Sequence, residues 1–109
     1  MSKIRVALVD DHRVVRQGLR SYFEAFGDIQ IIGEASSGEE ATRELEGWLP
    51  DVVVMDLLMP GGIDGIETTR RIRVLSPHTQ VVVLTAYADD ARVVAALRAA
   101  LAADESERV

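Results

Sequence analysis

The sequence of 109 residues contains no cysteine and a single lysine, Lys3. The absence of cysteine excludes disulfides, thiolate nucleophiles and cysteine-ligated metals. Aromatic residues make up only 5% of the chain, and no apolar run reaches the roughly 20 residues that a membrane-spanning helix needs. No signal-peptide pattern precedes the first apolar stretch, which begins at Ile4. We therefore expect a cytoplasmic protein that makes no use of a membrane.

Positive charge is scarce, because the formal net charge is −6 and the sequence pI is about 4.8. A nucleic-acid-binding surface is usually basic, so we expect no direct nucleic-acid binding by this chain. The composition, with 48% hydrophobic and 28% charged residues, is that of an ordinary globular protein. The length predicts one domain.

One short apolar run, residues 52–55, stands between Pro50 and Pro60 without a polar break. Such a run is typical of a strand that is buried on both faces of a parallel sheet. It ends in Asp56, at the edge where open α/β sheets place their ligands. Taken alone, an aspartate at this position is as often a turn residue or a helix cap.

Three more strands and two of the intervening helices are predicted from apolar periodicity. The strands are residues 4–9, 29–32 and 80–84. The first helix ends near residues 27–28, and its apolar face is formed by Val15, Leu19, Tyr22, Phe23 and Phe26. The second helix begins with a capping box, in which Ser37 is the N-cap and Glu40 the third helical residue. Its inward face is formed by Ala41, Leu45 and Trp48.

Two further helices complete an alternating pattern. The third is predicted from about Asp64 to Leu75, with an inward face formed by Ile66, Thr69 and Ile72. The fourth begins at Asp89 or Asp90, with an inward face formed by Val94, Leu97 and Leu101. The order βαβαβαβα predicts an α/β fold in which helices cover both faces of a doubly wound parallel sheet.

Acidic and hydroxyl side chains follow three of the four predicted strands. Asp10 and Asp11 come after the first strand, Asp56 after the third and Thr85 after the fourth. Because the first and third strands are neighbours in a doubly wound sheet, we expect the three carboxylates to meet in one crevice. Carboxylates this close repel one another, and Mg²⁺, which prefers hard oxygen ligands, would relieve that repulsion.

A crevice of this kind suits phosphoryl chemistry. A carboxylate can attack phosphorus as a nucleophile and form an acyl phosphate. Magnesium sites combine one or two carboxylates with phosphate oxygens, and the Thr85 hydroxyl would reach a phosphoryl oxygen. Each feature is weak alone, and their common position at one sheet edge is the strong signal.

Four segments of the chain carry a family resemblance: Val9-Asp10-Asp11-His12, Met55-Asp56-Leu57-Leu58-Met59-Pro60, Asp64-Gly65 and Leu84-Thr85-Ala86. With these segments the sequence resembles the receiver domain of bacterial two-component response regulators and is most similar to the NarL/LuxR-type subfamily. The likeness extends from about residue 4 to residue 99. It implies a flavodoxin-like (CheY-like) fold and an output that controls transcription.

The resemblance also implies a role for each site residue. Asp56 would be the phosphoacceptor, and a sensor histidine kinase would supply the phosphoryl group. Asp11 and Asp56 would bind Mg²⁺ directly, Asp10 through water and Leu58 through its backbone carbonyl. Thr85 would be the switch hydroxyl. Such a domain is not an enzyme, apart from catalysing its own phosphorylation and dephosphorylation.

The sequence departs from the resemblance at its C-terminal end. Family receivers continue with a fifth strand that ends in a lysine, and with a fifth helix, whereas Lys3 is the only lysine here. We therefore expect a C-terminally truncated receiver domain over residues 1–103, a charged tail over residues 104–109 and a sheet of order 2-1-3-4. The fourth strand would then be an apolar edge that a homodimer or another partner covers.

Two other functions fit part of the pattern. An aspartyl-phosphate hydrolase of the haloacid-dehalogenase type needs a second aspartate where Leu58 stands, and a downstream lysine. A receiver that has lost the phosphoswitch and acts as a protein–protein interaction module fits the missing lysine, and this alternative stays open. His12 is interpreted as an ordinary residue that opens the first helix, rather than as a ligand or a phosphoryl donor.

Overall fold

The computed structural model describes residues 3–57, 59–84, 95, 98 and 99. Within these residues, strands and helices alternate along the chain. The strands are β1 (Ile4–Val9), β2 (Ile29–Ala35), β3 (Val52–Asp56) and β4 (Gln80–Leu84). The helices are α1 (Arg13–Glu24), α2 (Gly38–Trp48) and α3 (Gly65–Leu75), and residues 95, 98 and 99 are also helical.

The strands form one parallel sheet in the order β2-β1-β3-β4. This order confirms the predicted flavodoxin-like topology. The predicted burial of the third strand is also confirmed, because residues 52–55 are at most 1% exposed. In the described part of the sheet, β4 lies at the edge.

Each face of the sheet has its own hydrophobic core. On one face α1 places Leu19 and Phe23 against alternate side chains of the strands. On the other face α2 and α3 place Leu45 and Ile72 against the intervening side chains. The alternation follows from the pleat, which directs successive strand side chains to opposite faces.

Arg5, the one polar residue inside β1, anchors the end of α2. Its Nη2 donates to the carbonyl of Trp48 at 2.6 Å and its Nε to the carbonyl of Leu49 at 3.2 Å. Leu49 closes the helix in the left-handed conformation, with φ 49°. A cation at a helix C-terminus satisfies carbonyls that lack a helical partner.

The second strand is longer than predicted, since β2 continues through Gly33 to Ala35 instead of ending at Ile32. The pairing with β1 shifts register between Val6 and Ala7, next to this point. Gly33 is needed inside the strand because a Cβ there would lie 2.7 Å from Cδ2 of the Trp48 indole. Glycine here makes room for a tryptophan and does not end the strand.

Two inward-facing assignments were wrong. Val15 in α1 is 43% exposed, and Ile66 in α3 is 68% exposed. Thr68 in α3 is fully buried although it is polar; its hydroxyl donates to the Asp64 carbonyl at 2.7 Å and therefore needs no other polar partner. The inward face of α3 is thus rotated from the one that the apolar residues predicted, although Ile72 is buried as expected.

The predicted fourth helix lies almost wholly outside the described residues, and its inward residues Val94, Leu97 and Leu101 are among those not described. The tail 104–109 is also outside them. In the part of the chain that is described, no helix combines the length and apolar character needed to cross a membrane.

Candidate functional site

Four side chains converge where β1 and β3 end. Asp10, Asp11, His12 and Asp56 each offer a ligand atom, and these atoms all lie within 4.8 Å of one another. Parallel pairing explains the convergence. Val9 pairs with Met55, so the acidic residues that follow these two positions lie at the same edge of the sheet. The three aspartates therefore meet in one crevice, as the strand order predicted.

Asp10 is the buried member of this cluster, with 5% of its surface exposed. Its backbone N–H donates to the carbonyl of Ala35 at 3.1 Å, which extends the β1–β2 ladder by one residue. Its Oδ1 accepts from the backbone N–H of His12 at 2.8 Å. Arg16 in α1 donates to its carbonyl oxygen at 2.6 Å. The bonds to Ala35 and Arg16 fix the Asp10 backbone, and the bond from the His12 N–H orients its carboxylate.

His12 brings a titratable ring to the carboxylates. Its Nδ1 lies 3.1 Å from Oδ1 of Asp10 and 2.9 Å from Oδ1 of Asp11. The pKa of His12 is raised, first by the hydrogen bond to Asp10, then by the negative charges of Asp11 and Asp10, with a smaller contribution from Asp56. A protonated His12 places positive charge where a bound cation would place it.

His12 has two roles in the structure. It is the N-cap residue of α1, without a side-chain capping bond, so it does open the helix as predicted. Its ring also joins the acidic cluster, which the sequence interpretation missed. The available signal was its position next to two adjacent aspartates.

Asp11 shows whether the donor set of the cluster fits a metal ion. Its Oδ1 is buried and has no hydrogen-bond partner within the described residues, although it lies within ion-pair distance of His12. A buried carboxylate oxygen without a donor is costly. A divalent cation bound by oxygen ligands would satisfy this atom, so the donor set fits a metal such as Mg²⁺.

Asp56 ends β3, is half-buried, and is positioned by a close approach of two backbone segments. Gly65, the first residue of α3, donates its N–H to the carbonyl of Leu57 at 3.1 Å. A Cβ on Gly65 would overlap the Asp56 carbonyl oxygen and lie 2.6 Å from Cα of Leu57. Only glycine fits without moving the backbone that carries the Asp56 carboxylate.

Glu39 in α2 fixes the loop that precedes Gly65. Its Oε1 accepts from the backbone N–H of Ile63 at 2.6 Å, and this bond is the main reason why the pKa of Glu39 is lowered. Asp64 then caps α3 by accepting from the Glu67 N–H at 2.8 Å. Two side-chain bonds therefore determine where the loop ends and where α3 begins.

Two predicted site residues, Leu58 and Thr85, lie outside the described residues, as does Ala86. Their predicted roles are therefore not illustrated by the structure. Within the described part, the site comprises three carboxylates and an imidazole, and this cluster could hold a metal ion.

Comparison with known proteins identifies similar sequences and folds. Residues 6–103 match the family described as response regulator receiver domain. Over 90 residues the chain is 48% identical to the transcriptional regulatory protein LiaR of Bacillus subtilis. The aligned region covers 83% of this chain and 42% of LiaR. Over 96 residues it is 44% identical to the uncharacterized transcriptional regulatory protein YhcZ of the same species, covering 88% and 44% of the two chains.

A solved structure shows the same likeness. A two-component response regulator of the LuxR family from Aurantimonas sp. is 38% identical, with a TM-score of 0.73, and the match covers 90% of this chain and 69% of that chain. The chain spans less than half the length of LiaR and YhcZ.

Proposed function

The chain belongs to the response regulator receiver domain family, and from this premise we propose that it accepts a phosphoryl group on Asp56 from a sensor histidine kinase. Receiver domains of response regulators are signalling modules and not classical enzymes. In this proposal the phosphorylated domain, residues 1–103 with a charged tail over 104–109, acts in the cytoplasm and controls transcription. The similarity to LiaR and YhcZ, both named as transcriptional regulatory proteins, supports that output.

One observation carries the proposal: the ligand atoms of Asp10, Asp11 and Asp56 lie within 4.8 Å of one another, and one oxygen of Asp11 is buried without a hydrogen bond from the described residues. Asp11 and Asp56 would hold Mg²⁺ directly and Asp10 through water, with the Leu58 carbonyl as a further ligand. Bound Mg²⁺ would supply positive charge that offsets the carboxylates and the phosphoryl oxygens.

The reaction needs a nucleophile held in place, and Asp56 meets that need. A carboxylate oxygen of Asp56 would attack the phosphorus of a phosphohistidine, so that an O–P bond forms while the N–P bond breaks. The imidazole nitrogen keeps the electron pair of the broken bond and leaves. The Thr85 hydroxyl would donate a hydrogen bond to a phosphoryl oxygen of the product. Attack by water on the acyl phosphate would return Asp56 to its carboxylate form.

Asp10 and His12 set the electrostatics around that nucleophile. The Asp10 backbone donates to the Ala35 carbonyl, and its carboxylate accepts from the His12 N–H, which holds the carboxylate in the crevice. His12, which is 66% exposed, lies at the mouth of the site, where it can leave the carboxylates when a cation arrives.

A histidine kinase is the partner that this function requires. Self-association through the β4 edge is a second interaction that we propose, because this strand is apolar and has an open side in the described sheet. A receiver that serves only as an interaction module would keep these surfaces and lose the reaction at Asp56.

Phosphorylation by acetyl phosphate separates these two functions. With Mg²⁺ present, intact-protein mass spectrometry should show one added phosphoryl group, and Asp56→Asn should abolish it. Asp64→Asn is the matched control, because asparagine also caps a helix and the site carboxylates are untouched. Modification that persists in Asp56→Asn, or none in the unaltered protein, would leave the interaction module as the function.

A further inference from the structure

A second concave surface lies between α2 and α3, on the sheet face opposite α1. It encloses about 500 Å³, within the range of roughly 300–1,000 Å³ that is usual for binding pockets. We call it the α2–α3 groove, and its lining residues are Thr42, Arg43, Arg70, Arg71, Val74 and Leu75. None of these residues belongs to the acidic cluster at the end of β1 and β3.

The floor of the α2–α3 groove is apolar and open to solvent. Val74 is 70% exposed and Leu75 is 62% exposed, although both stand in the last turn of a helix whose other face is buried. Isolated exposed apolar residues are ordinary, but two side by side within a concave surface form a patch that a partner can cover.

Arginines surround this floor, and two of them have unused donors. Arg70 donates three hydrogen bonds to Glu67, so its charge is compensated. Arg71 Nε is 3.9 Å from the same carboxylate and makes no hydrogen bond among the described residues. Arg43 is likewise without a side-chain hydrogen bond in that part of the chain, and its Nε lies 3.7 Å from Glu44.

The arginines of the α2–α3 groove have carboxylates nearby, but two of them keep donors that these carboxylates do not use. Arg70 and Arg71 share the carboxylate of Glu67, and Arg71 also lies near Glu39, whose pKa it helps to lower. The Arg43–Glu44 pair is solvent-exposed and long, so it contributes little to holding that guanidinium in place. Two guanidinium groups beside an exposed apolar floor present donors that match carboxylates.

We propose that the α2–α3 groove docks an acidic, amphipathic peptide segment of a partner protein. Carboxylates of the segment bind Arg43 and Arg71, and an aliphatic or aromatic side chain between them covers Val74 and Leu75. The binding surface is separate from Asp56, so docking does not depend on phosphorylation and is a function in addition to phosphoryl transfer.

The occupant that we propose is a short peptide segment, because the negative charge of such a segment can be confined to the α2–α3 groove. A nucleic acid or an anionic membrane presents negative charge over a wide area and is repelled by a protein whose net charge is −6. A short segment confines its carboxylates to the two guanidinium groups and places its apolar side chain in a volume of about 500 Å³.

NMR titration of the full chain with blocked peptides tests the proposal. The probe is a peptide with two leucines flanked by glutamates, and the comparison peptide has lysines in place of the glutamates. The acidic peptide should shift amide signals of residues 42–43 and 70–75, and the basic peptide should not. No shifts at millimolar peptide, shifts centred elsewhere, or equal binding of the basic peptide would overturn the proposal. So would tighter binding of anionic phospholipid vesicles or of an oligonucleotide.

Substitutions on the helix surface sharpen the test. The double variant Arg43→Gln/Arg71→Gln should weaken binding of the acidic peptide about tenfold, since two charge-assisted contacts are lost. Val74→Ser should also weaken it, and because Val74 is exposed this variant should fold normally. Arg73→Gln is the matched control, an exposed arginine of α3 outside the α2–α3 groove, and should bind like the unaltered chain. Equal loss in this control would overturn the assignment of the α2–α3 groove.

Asp56→Asn separates this proposal from the phosphoacceptor function. Docking should be unchanged in this variant while phosphorylation is lost. Loss of peptide binding in Asp56→Asn would show that the peptide reads the phosphoacceptor site and would overturn a separate docking groove.

Discussion

The contact between Gly65 and the Asp56 backbone makes a direct prediction about Gly65→Ala. The added Cβ would overlap the Asp56 carbonyl oxygen and stand 3.0 Å from the Asp56 carbonyl carbon. These are backbone atoms, so neither can move aside by a rotamer change. The substitution must push α3 away from β3 or displace Asp56, the proposed phosphoacceptor.

The size of the effect follows from two opposing terms. Adding a methyl group to a packed site typically costs about 1–3 kcal/mol. Replacing a helical glycine by alanine returns at most about 1 kcal/mol, and less at the first helical residue. The net destabilisation of Gly65→Ala should therefore be about 1–2 kcal/mol, or roughly 5–15 °C in Tm for a domain of this length.

Gly18→Ala is the matched control for this prediction. Gly18 lies in the middle of α1, and a Cβ there would meet nothing within 4 Å. The same substitution should therefore stabilise the protein by about 0.5–1 kcal/mol. Urea unfolding of both variants measures the two signs in one experiment. A Gly65→Ala variant that is as stable as the unaltered chain and is phosphorylated as fast would refute the close-approach argument.

Three further substitutions test other parts of the account. Asp11→Asn should raise Tm in metal-free buffer, because one repelling carboxylate is gone. It should also weaken Mg²⁺ binding in a calorimetric titration, and an equal Mg²⁺ affinity would show that Asp11 is not a ligand. Thr79→Val should lower the free energy of unfolding by about 1–2 kcal/mol, because the buried hydroxyl donates to the Pro50 carbonyl at 2.9 Å. An unchanged urea midpoint would show that this hydrogen bond does not stabilise the fold. Asp28→Asn should lower Tm at neutral pH, and the difference should shrink as pH falls through the folded-state pKa: Arg98 lowers the pKa of Asp28 below its ordinary 3.8, so the ion pair stabilises the fold fully above 3.8 and is lost below the folded-state pKa. A Tm difference that stays constant as the pH is lowered from neutral until Asp28 is protonated would contradict this assignment.

Most strand positions were accessible from the sequence because each depends on a local pattern, and the sheet order followed from the doubly wound fold and the family resemblance. The run of residues 52–55 has no polar break, and only a strand covered on both sides tolerates that. The register of Asp10 and Asp56 then follows from parallel pairing alone. Local capping was also predictable: Ser37 accepts from the Glu40 N–H at 3.1 Å, although the Glu40 side chain returns to the Ser36 N–H and not to that of Ser37.

Features that depend on tertiary packing were not accessible. Apolar spacing placed Ile66 on the inward face of α3, whereas the structure exposes Ile66 and buries Thr68. The cost of burying a threonine disappears when its hydroxyl bonds to the preceding turn, and that bond cannot be read from a hydrophobicity pattern. The length of β2 was missed for a similar reason, since the partner that requires Gly33 is Trp48, far away in sequence.

The site was predictable in its carboxylates and not in its surroundings. The three aspartates follow strand ends, which is a topological signal. The ring of His12 and the close approach of Gly65 depend on distances between elements, and no spacing rule supplies them. The charge of the cluster could therefore not be predicted from the sequence. A histidine near three carboxylates changes the negative charge that a metal must offset.

The most direct test of the central claim is to locate the acyl phosphate with and without Mg²⁺. After treatment with acetyl phosphate, borohydride reduces a phosphoaspartate to homoserine and marks its position for peptide mass spectrometry. The homoserine should appear at position 56 alone and only when Mg²⁺ is present, because the three carboxylates that converge at the strand ends need a cation before phosphate oxygens can approach. A mark on another aspartate, or equal marking of Asp56 in the presence of a chelator, would contradict it.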